Sequence, residues 1–74
     1  MAFTGLERSI LTHLLLNGDD IPANIAETAD AHRNSVSRAI SSLEDDGLVQ
    51  NKGRGVYRLT ATGRAEAQDL QDST

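Results

Sequence analysis

The sequence predicts a small, mainly α-helical domain with one β-hairpin, and three observations carry that prediction. The chain has 74 residues, which suffices for one small domain over residues 1–74 and not for two. Apolar residues recur every three or four positions in four segments, which is the helical period. Between the third and fourth segments the pattern changes to two short strand-like runs joined by a glycine-bearing loop.

The first helix is predicted over residues 3–16. Thr4 and Glu7 have the spacing of a capping box, and Gly18 tolerates the backbone geometry that ends a helix. Residues 19–21, which follow, are long enough for a bridge-like strand. The inward apolar stripe of this helix consists of Leu6, Ile10 and Leu14.

The second helix is predicted over residues 22–29, since Pro22 suits the first helical position, where its missing N–H costs nothing. A tight turn over residues 30–32 leads to a third helix, over about 33–46, which Gly47 ends. The apolar stripe of the third helix consists of Val36, Ile40 and Leu43.

Two short strands are predicted over residues 48–51 and 56–59, with a turn at 52–55. Thr60 then caps a fourth helix, over about 61–70, and the last four residues are expected to fray. A short helix, a tight turn, a longer helix and a hairpin form the layout of a winged helix-turn-helix. The predicted fold therefore has a three-helix core, a wing and a short C-terminal helix.

The outer face of the third helix is small, polar and basic near its N-terminal end. Such a face can enter a DNA major groove, about 12 Å wide, and offer hydrogen bonds to base edges. The turn between the strands adds basic residues beside two glycines, which let a backbone approach a phosphate chain. The helix face presents Asn34, Arg38 and Ser41, with Ser37 flanking and Arg33 at the entry; the turn presents Lys52 and Arg54.

The charge is unevenly distributed along the chain. Eleven acids outnumber seven bases, for a net charge of −4, which alone argues against a nucleic-acid partner. Yet residues 32–58 hold five of the bases and three of the acids. A basic segment in an acidic chain can still bind DNA, and the acids elsewhere suit a protein adapted to high ionic strength.

Several classes of function are disfavoured by the composition. There is no cysteine, and His13 and His32 are too few to close a metal site, so no metal and no other cofactor is expected. We expect His13 on a helix surface and His32 in a turn. No apolar run is long enough to span a membrane, and no nucleophile elbow or dinucleotide-binding fingerprint is present, which predicts a cytoplasmic protein that is not an enzyme.

Three segments of the sequence resemble those of a known family. They are IAE at residues 25–27, VSRAISSLEDDGLV at 36–49 and YRLTATG at 57–63. Together they are similar to the winged-helix transcriptional regulators of the MarR and PadR kind, over about residues 6–64. The acidic composition, with six arginines to one lysine, resembles the phage-repressor-like regulators of haloarchaea.

The resemblance implies a sequence-specific regulator that binds double-stranded DNA, expected to be a repressor, with the third helix in the major groove and the wing on the backbone or minor groove. His32 and Ile21 stand where the family has capping residues, so both helices of the motif are expected to begin less firmly. From this sequence we expect neither the family's long flanking helices nor a small-molecule ligand. The family's DNA-reading residues fall on Asn34, Ser35, Ser37 and Arg38, with Arg33 at the entry and Lys52 and Arg54 on the wing.

The residues leave three other interpretations open. Arg33 and Arg38 could be solvent-facing charges that pair with Asp30 or Asp45. The wing turn could be an ordinary solvated turn, and the whole domain could be a protein–protein interaction module without DNA binding, for which the net charge is the best argument.

For DNA binding we expect a homodimer through the first and fourth helices. The apolar residues that the monomer core needs least are expected to be Phe3, Leu16 and Leu70.

Overall fold

The helices and the hairpin follow one another in the order that the sequence predicts. The computed structural model of the protein describes residues 3–72. Within this range the hydrophobic pattern predicts the type and order of the elements correctly. The elements are α1 (Gly5–Asn17), α2 (Pro22–Ala29), α3 (Arg33–Asp45), β1 (Val49–Asn51), β2 (Tyr57–Leu59) and α4 (Ala61–Asp72).

The start of α1 is fixed by the predicted capping box. The Thr4 hydroxyl accepts a hydrogen bond from the Glu7 N–H at 3.1 Å, and the Glu7 carboxylate accepts one from the Thr4 N–H at 2.9 Å. A capping residue has extended backbone angles, so the helix begins at Gly5 and not, as predicted, at residue 3. At the other end Gly18 has a φ of 86° and donates its N–H to the Leu14 carbonyl.

The end of α3 confirms the role predicted for Gly47. Its φ is 78°, its N–H bonds to the Glu44 carbonyl at 3.0 Å, and the next N–H, of Leu48, bonds to the Leu43 carbonyl at 2.9 Å. This is the Schellman arrangement, and Leu48 supplies its buried apolar contact. Because Leu48 belongs to this helix end, β1 begins one residue later than predicted.

The hairpin pairs β1 and β2 antiparallel, with Val49 opposite Leu59 and Gln50 opposite Arg58. The predicted strand at residue 56 is wrong, since Val56 closes the turn by donating its N–H to the Gly53 carbonyl.

The bridge-like strand predicted over residues 19–21 is confirmed by an antiparallel bridge to β2. There Asp20 exchanges two main-chain hydrogen bonds with Tyr57, of 2.8 and 3.1 Å. The linker between α1 and α2 thus holds the second edge of β2.

Helix α4 begins as predicted and ends later. The Thr60 hydroxyl accepts the Gly63 N–H at 3.0 Å and donates to the Gly47 carbonyl at 2.6 Å, which ties the helix start to the end of α3. The helix continues to Asp72, past the predicted end at residue 70, so the fraying predicted for residues 71 and 72 is wrong. The rest of that prediction, for residues 73 and 74, lies outside the described residues.

One hydrophobic core joins all six elements. Leu6, Leu15 and Ala39 pack against its edge. The prediction that the core needs Phe3 and Leu70 least is wrong, because both are partly buried against it, whereas Leu16 is 67% exposed. The core consists of Ile10, Leu11, Leu14, Ile25, Ala26, Val36, Ile40, Leu43, Leu48, Val49, Leu59 and Ala67.

His13 is part of the interior, and its predicted place on a helix surface is wrong. The side chain is 7% exposed, and its Nε2 lies 2.7 Å from Oδ2 of Asp20. Because the linker after α1 folds back to bridge β2, it brings a carboxylate over the histidine. The other oxygen of Asp20 accepts hydrogen bonds from the Ile21 N–H and the Asn24 amide, at 2.8 and 2.9 Å.

The contacts of Asp20 predict a dependence of stability on pH. The hydrogen bond from His13, with those from Asn24 and the Ile21 N–H, holds the pKa of the Asp20 carboxyl below its usual value of 3.8. A carboxyl whose pKa is lower in the folded state stabilises the protein above its unfolded pKa, and that stability is lost as the pH falls through the folded value. The loss therefore belongs to the pH range below about 4.

We expect Asp20→Asn to reduce the free energy of unfolding near neutral pH and to flatten its decline below pH ~4. Asparagine keeps the shape of the side chain and removes the charge that the native contacts stabilise. Urea titrations at a series of pH values measure this, with Glu27→Gln as the control, since Glu27 is an exposed carboxylate on α2. If the free energy of unfolding of Asp20→Asn fell as steeply with acid as that of the wild type, the role given to this carboxyl would be contradicted.

Candidate nucleic-acid interface

The turn between α2 and α3 sets the direction of the predicted recognition helix. Asp30 adopts the left-handed conformation with a φ of 53°, and the next N–H, of Ala31, bonds back to the Ala26 carbonyl at 3.0 Å. Neither Ile21 nor His32, at the helix starts, forms a side-chain cap, as their residue types predict. Since no side chain caps α3, its first N–H groups are left to bind solvent or an anion.

Helix α3 divides into a buried face and a polar face. Val36, Ile40 and Leu43 are buried, and they hold the helix against α1, α2 and the hairpin. The opposite face is polar along its whole length and basic in its first half. The six helix residues predicted to contact DNA are all exposed: Arg33, Asn34, Ser35, Ser37, Arg38 and Ser41.

Neither arginine of this face has an acidic partner among residues 3–72. Within residues 3–72 the ion pairs are His13 with Asp20 and Lys52 with Asp19. The alternative that Arg33 and Arg38 pair with Asp30 or Asp45 is therefore wrong. Their guanidinium groups are free to take a ligand without first breaking an internal contact.

The tip of the wing presents one long side chain on an unusual backbone. Gly53, Arg54 and Gly55 have φ values of 116°, 57° and 75°, so three consecutive residues lie in the left-handed region. The Asn51 side chain accepts the Gly53 N–H at 2.8 Å, and the Lys52 N–H bonds to the Val56 carbonyl at 2.9 Å. An arginine in this conformation is unusual, costing about 1–2 kcal/mol relative to glycine. The turn therefore holds Arg54 exposed at its apex.

Lys52 differs from Arg54, although the sequence groups them. Its Nζ lies 2.8 Å from Oδ2 of Asp19, in the linker between α1 and α2. Both side chains remain nearly half exposed, so the pair is a surface contact that solvent screens and that contributes little to stability. Lys52 holds the pKa of the Asp19 carboxyl below its usual value. Sequence reasoning misses Asp19 because it lies 33 residues away from its partner.

Two further properties of the described chain bear on its function. None of the helices in residues 3–72 is both long and apolar enough to cross a membrane. In the same range no group of three or more histidine or acidic side chains is placed to hold a metal ion. The large apolar side chains exposed there are Leu16 and Ile21, at the end of α1 and the start of α2, and not on the outer face of α3 or the wing.

Solved structures with the same architecture include regulators of the MarR family. NMB1585, a MarR family regulator from Neisseria meningitidis, is 25% identical with a TM-score of 0.85, over 96% of this chain and 54% of its own. The MarR family transcriptional regulator SPO1453 from Silicibacter pomeroyi is 27% identical with a TM-score of 0.84, over 92% of this chain and 52% of its own. IdeR of T. acidophilum is 29% identical with a TM-score of 0.72, over 90% of this chain and 32% of its own.

The domain thus has the winged-helix fold of MarR-like transcriptional regulators, and it spans about half the length of the MarR family structures. No curated protein matches the chain. A family model, described as the HVO_A0261 N-terminal domain, matches residues 6–74. The chain belongs to that family.

Proposed function

We propose that this domain is the DNA-binding part of a transcriptional regulator and that it recognises a specific double-stranded sequence. The observation that carries the proposal is the first half of α3, whose exposed arginines and small polar residues form no ion pair within the described part of the chain. Arg38 and Asn34 have the side chains best suited to guanine and adenine edges. The likeness to MarR family regulators supports the same conclusion.

The wing supplies the second proposed contact. Arg54 stands at the apex of the turn, exposed and on a backbone that the flanking glycines allow to come close to DNA. An arginine so placed meets a phosphate or the minor groove, which positions the protein without reading the sequence. We assign base recognition to α3, with Arg33, Asn34, Ser35, Ser37, Arg38 and Ser41, and backbone contact to the wing, with Arg54 and Lys52.

The alternative function, a protein–protein interaction module, is less well supported. A module of that kind would present an apolar patch on α3 or the wing. In the described residues the exposed large apolar side chains lie instead at the junction of α1 and α2. That position leaves the basic face free for DNA.

The test distinguishes base recognition from contact with the DNA backbone. Selection of bound sequences from a random duplex pool first supplies a preferred site. Arg38→Ala is then expected to weaken binding to that site by about 1–3 kcal/mol and binding to a scrambled duplex much less. Arg54→Asn is expected to weaken both duplexes equally and to lower the salt slope by about one. Asparagine is chosen because it tolerates the left-handed backbone of Arg54, so the charged side chain is removed without straining the turn.

Fluorescence anisotropy over a salt series measures both effects. Arg8→Gln is the control, because Arg8 lines a groove between α1 and α2 to which the wing contributes no residue. If Arg38→Ala weakens the selected and the scrambled duplex by the same factor, Arg38 is a phosphate contact and not a base reader. If the wild type selects no sequence, the proposed function itself is wrong.

We propose further that the protein acts as a homodimer on a palindromic site. One domain of this size makes few contacts with DNA, and a second copy doubles them. Leu16, 67% exposed at the end of α1, is an apolar side chain available for such an interface. Sedimentation at tens of micromolar, with and without the selected duplex, tests this. A monomer under both conditions would rule out the dimer.

A repressor role and a haloarchaeal origin stay predictions of the sequence. Their support is the resemblance to phage-repressor-like regulators and the surplus of acids over bases. A chain of this charge is expected to lose thermal stability in dilute buffer, where its self-repulsion is not screened. An equal melting temperature in dilute and in molar potassium chloride would contradict the adaptation to salt.

A further inference from the structure

The hairpin has an outer face of which the proposed DNA contacts use only Lys52. Val49 and Leu59 form a cross-strand pair and are buried, so their side of the hairpin faces the core. The neighbouring pair, Gln50 and Arg58, points the other way because side chains alternate along a strand, and both are exposed. The wing therefore offers solvent a second surface beside its tip.

Asp19 is brought to this surface by the linker between α1 and α2. The bridge pairs Asp20 with Tyr57 in antiparallel register, which places Asp19 next to Arg58. From the other side of β2, Lys52 reaches the same carboxylate at 2.8 Å. The Asp19 side chain thus lies between two cations, on the face opposite to the core.

Arg64, in the first turn of α4, adds a third cation. Helix α4 directly follows β2, and Arg64 is exposed in its first turn, six residues after Arg58. The hydrogen bond and charge of Lys52, and then the charges of Arg58 and Arg64, help to keep the pKa of the Asp19 carboxyl below its usual value. We call this surface the outer wing face and define it as Lys52, Arg58, Arg64 and Asp19. It holds two positive charges in excess, although the whole chain has a net charge of −4.

We propose that the outer wing face binds the DNA backbone that flanks the site read by α3, and that Asp19 holds Lys52 until a phosphate takes its place. This inference rests on the proposed DNA binding and adds to it Arg58, Arg64 and the regulated contact of Lys52. The partner is the same duplex, since the face is continuous with the wing turn through Lys52.

The exchange of Asp19 for a phosphate is physically easy. A carboxylate and a phosphate oxygen both accept hydrogen bonds from an ammonium group, so Lys52 changes one anionic partner for another. The pair it leaves is exposed on both sides and contributes little to stability. Asp19 therefore weakens DNA binding without preventing it. It competes with phosphates for Lys52, and its negative charge also repels them.

The experiment compares charge variants on two lengths of duplex, one limited to the selected site and one extended by about ten base pairs, one helical turn, on each side. Anisotropy over a potassium chloride series gives the salt slope for each. The double variant Arg58→Gln with Arg64→Gln is expected to lower the slope by about two on the long duplex and by less on the short one. The double variant with lysine at both positions should restore the wild-type slope, because the contact requires charge and not a guanidinium fork.

Asp19→Asn is expected to act in the opposite direction. It frees Lys52, so affinity for the long duplex should rise several-fold and the slope should increase by about one. In the Lys52→Gln background the same change should have a smaller effect. All four side chains are exposed, so the variants should fold, which thermal melts verify.

Two results are decisive against the outer wing face. A long-duplex slope that is unchanged in the double glutamine variant would overturn the proposal, and so would an Asp19→Asn variant that binds no more tightly than the wild type. Both would leave α3 as the reader, provided the wild type still prefers the selected duplex. A wild type that prefers no duplex would instead refute the proposed function.

Discussion

Gly63→Ala is expected to destabilise the domain by about 3 kcal/mol, the upper end of the range for overpacked sites. A Cβ at this position would overlap the main-chain carbonyl of Leu48. That carbonyl cannot easily move away, because it accepts the Thr60 N–H at 3.0 Å and joins the end of α3 to the start of α4. Elsewhere in a helix the same change would stabilise by about 1 kcal/mol through helix propensity, so the sign itself is informative.

Gly5→Ala is the matched control. Gly5 also lies in the first turn of a helix, and no atom comes within 4 Å of a Cβ built on it. Urea unfolding followed by circular dichroism should give Gly5→Ala a free energy equal to the wild-type value or slightly above it. A Gly63→Ala variant within about 0.5 kcal/mol of wild type, the usual range for surface substitutions, would mean that α4 can shift off the hairpin.

Leu11→Ala and Leu16→Ala are expected to differ strongly, although they are the same substitution in one helix. Leu11 is 0% exposed and Leu16 is 67% exposed. Truncation of the buried side chain removes apolar contacts and leaves a cavity, which costs about 2–5 kcal/mol. A domain of this size has a total stability of about 4–11 kcal/mol, so Leu11→Ala alone could leave it largely unfolded at elevated temperature.

Leu16→Ala should change the free energy of unfolding by no more than about 0.5 kcal/mol at low protein concentration. Its effect should appear instead in self-association, since Leu16 is the side chain assigned to the dimer. Equilibrium unfolding and sedimentation on the same samples separate the two. Equal losses of stability in the two variants would show that Leu16 is covered in the folded monomer.

Local signals account for the parts of the fold that the sequence predicts well. The capping box of Thr4 and Glu7, the proline that starts α2 and the glycine that ends α3 each act over a few residues, so their effects can be read from the chain. The periodic apolar residues of α3 likewise predict which face is buried, and therefore which face is exposed for the candidate site.

The errors concern contacts between distant segments. His13 is adjacent to the apolar stripe of α1 but is buried because Asp20 returns over it, which no spacing within the helix shows. The pairing of Lys52 with Asp19 depends on the bridge between the linker and β2. The left-handed backbone of Arg54 is equally hidden, since the flanking glycines predict a turn but not the conformation of the residue between them.

Because β2 is hydrogen-bonded on both edges, to β1 and to Asp20, the wing cannot swing independently of the helices. For the proposed function this fixes the distance between α3 and Arg54. The number of base pairs between the groove that binds α3 and the phosphates that contact Arg54 is therefore also fixed. A base pair inserted in that stretch would move the phosphates out of reach and rotate them around the duplex axis. Natural sites for this protein are therefore expected to vary in their bases and to keep their spacing.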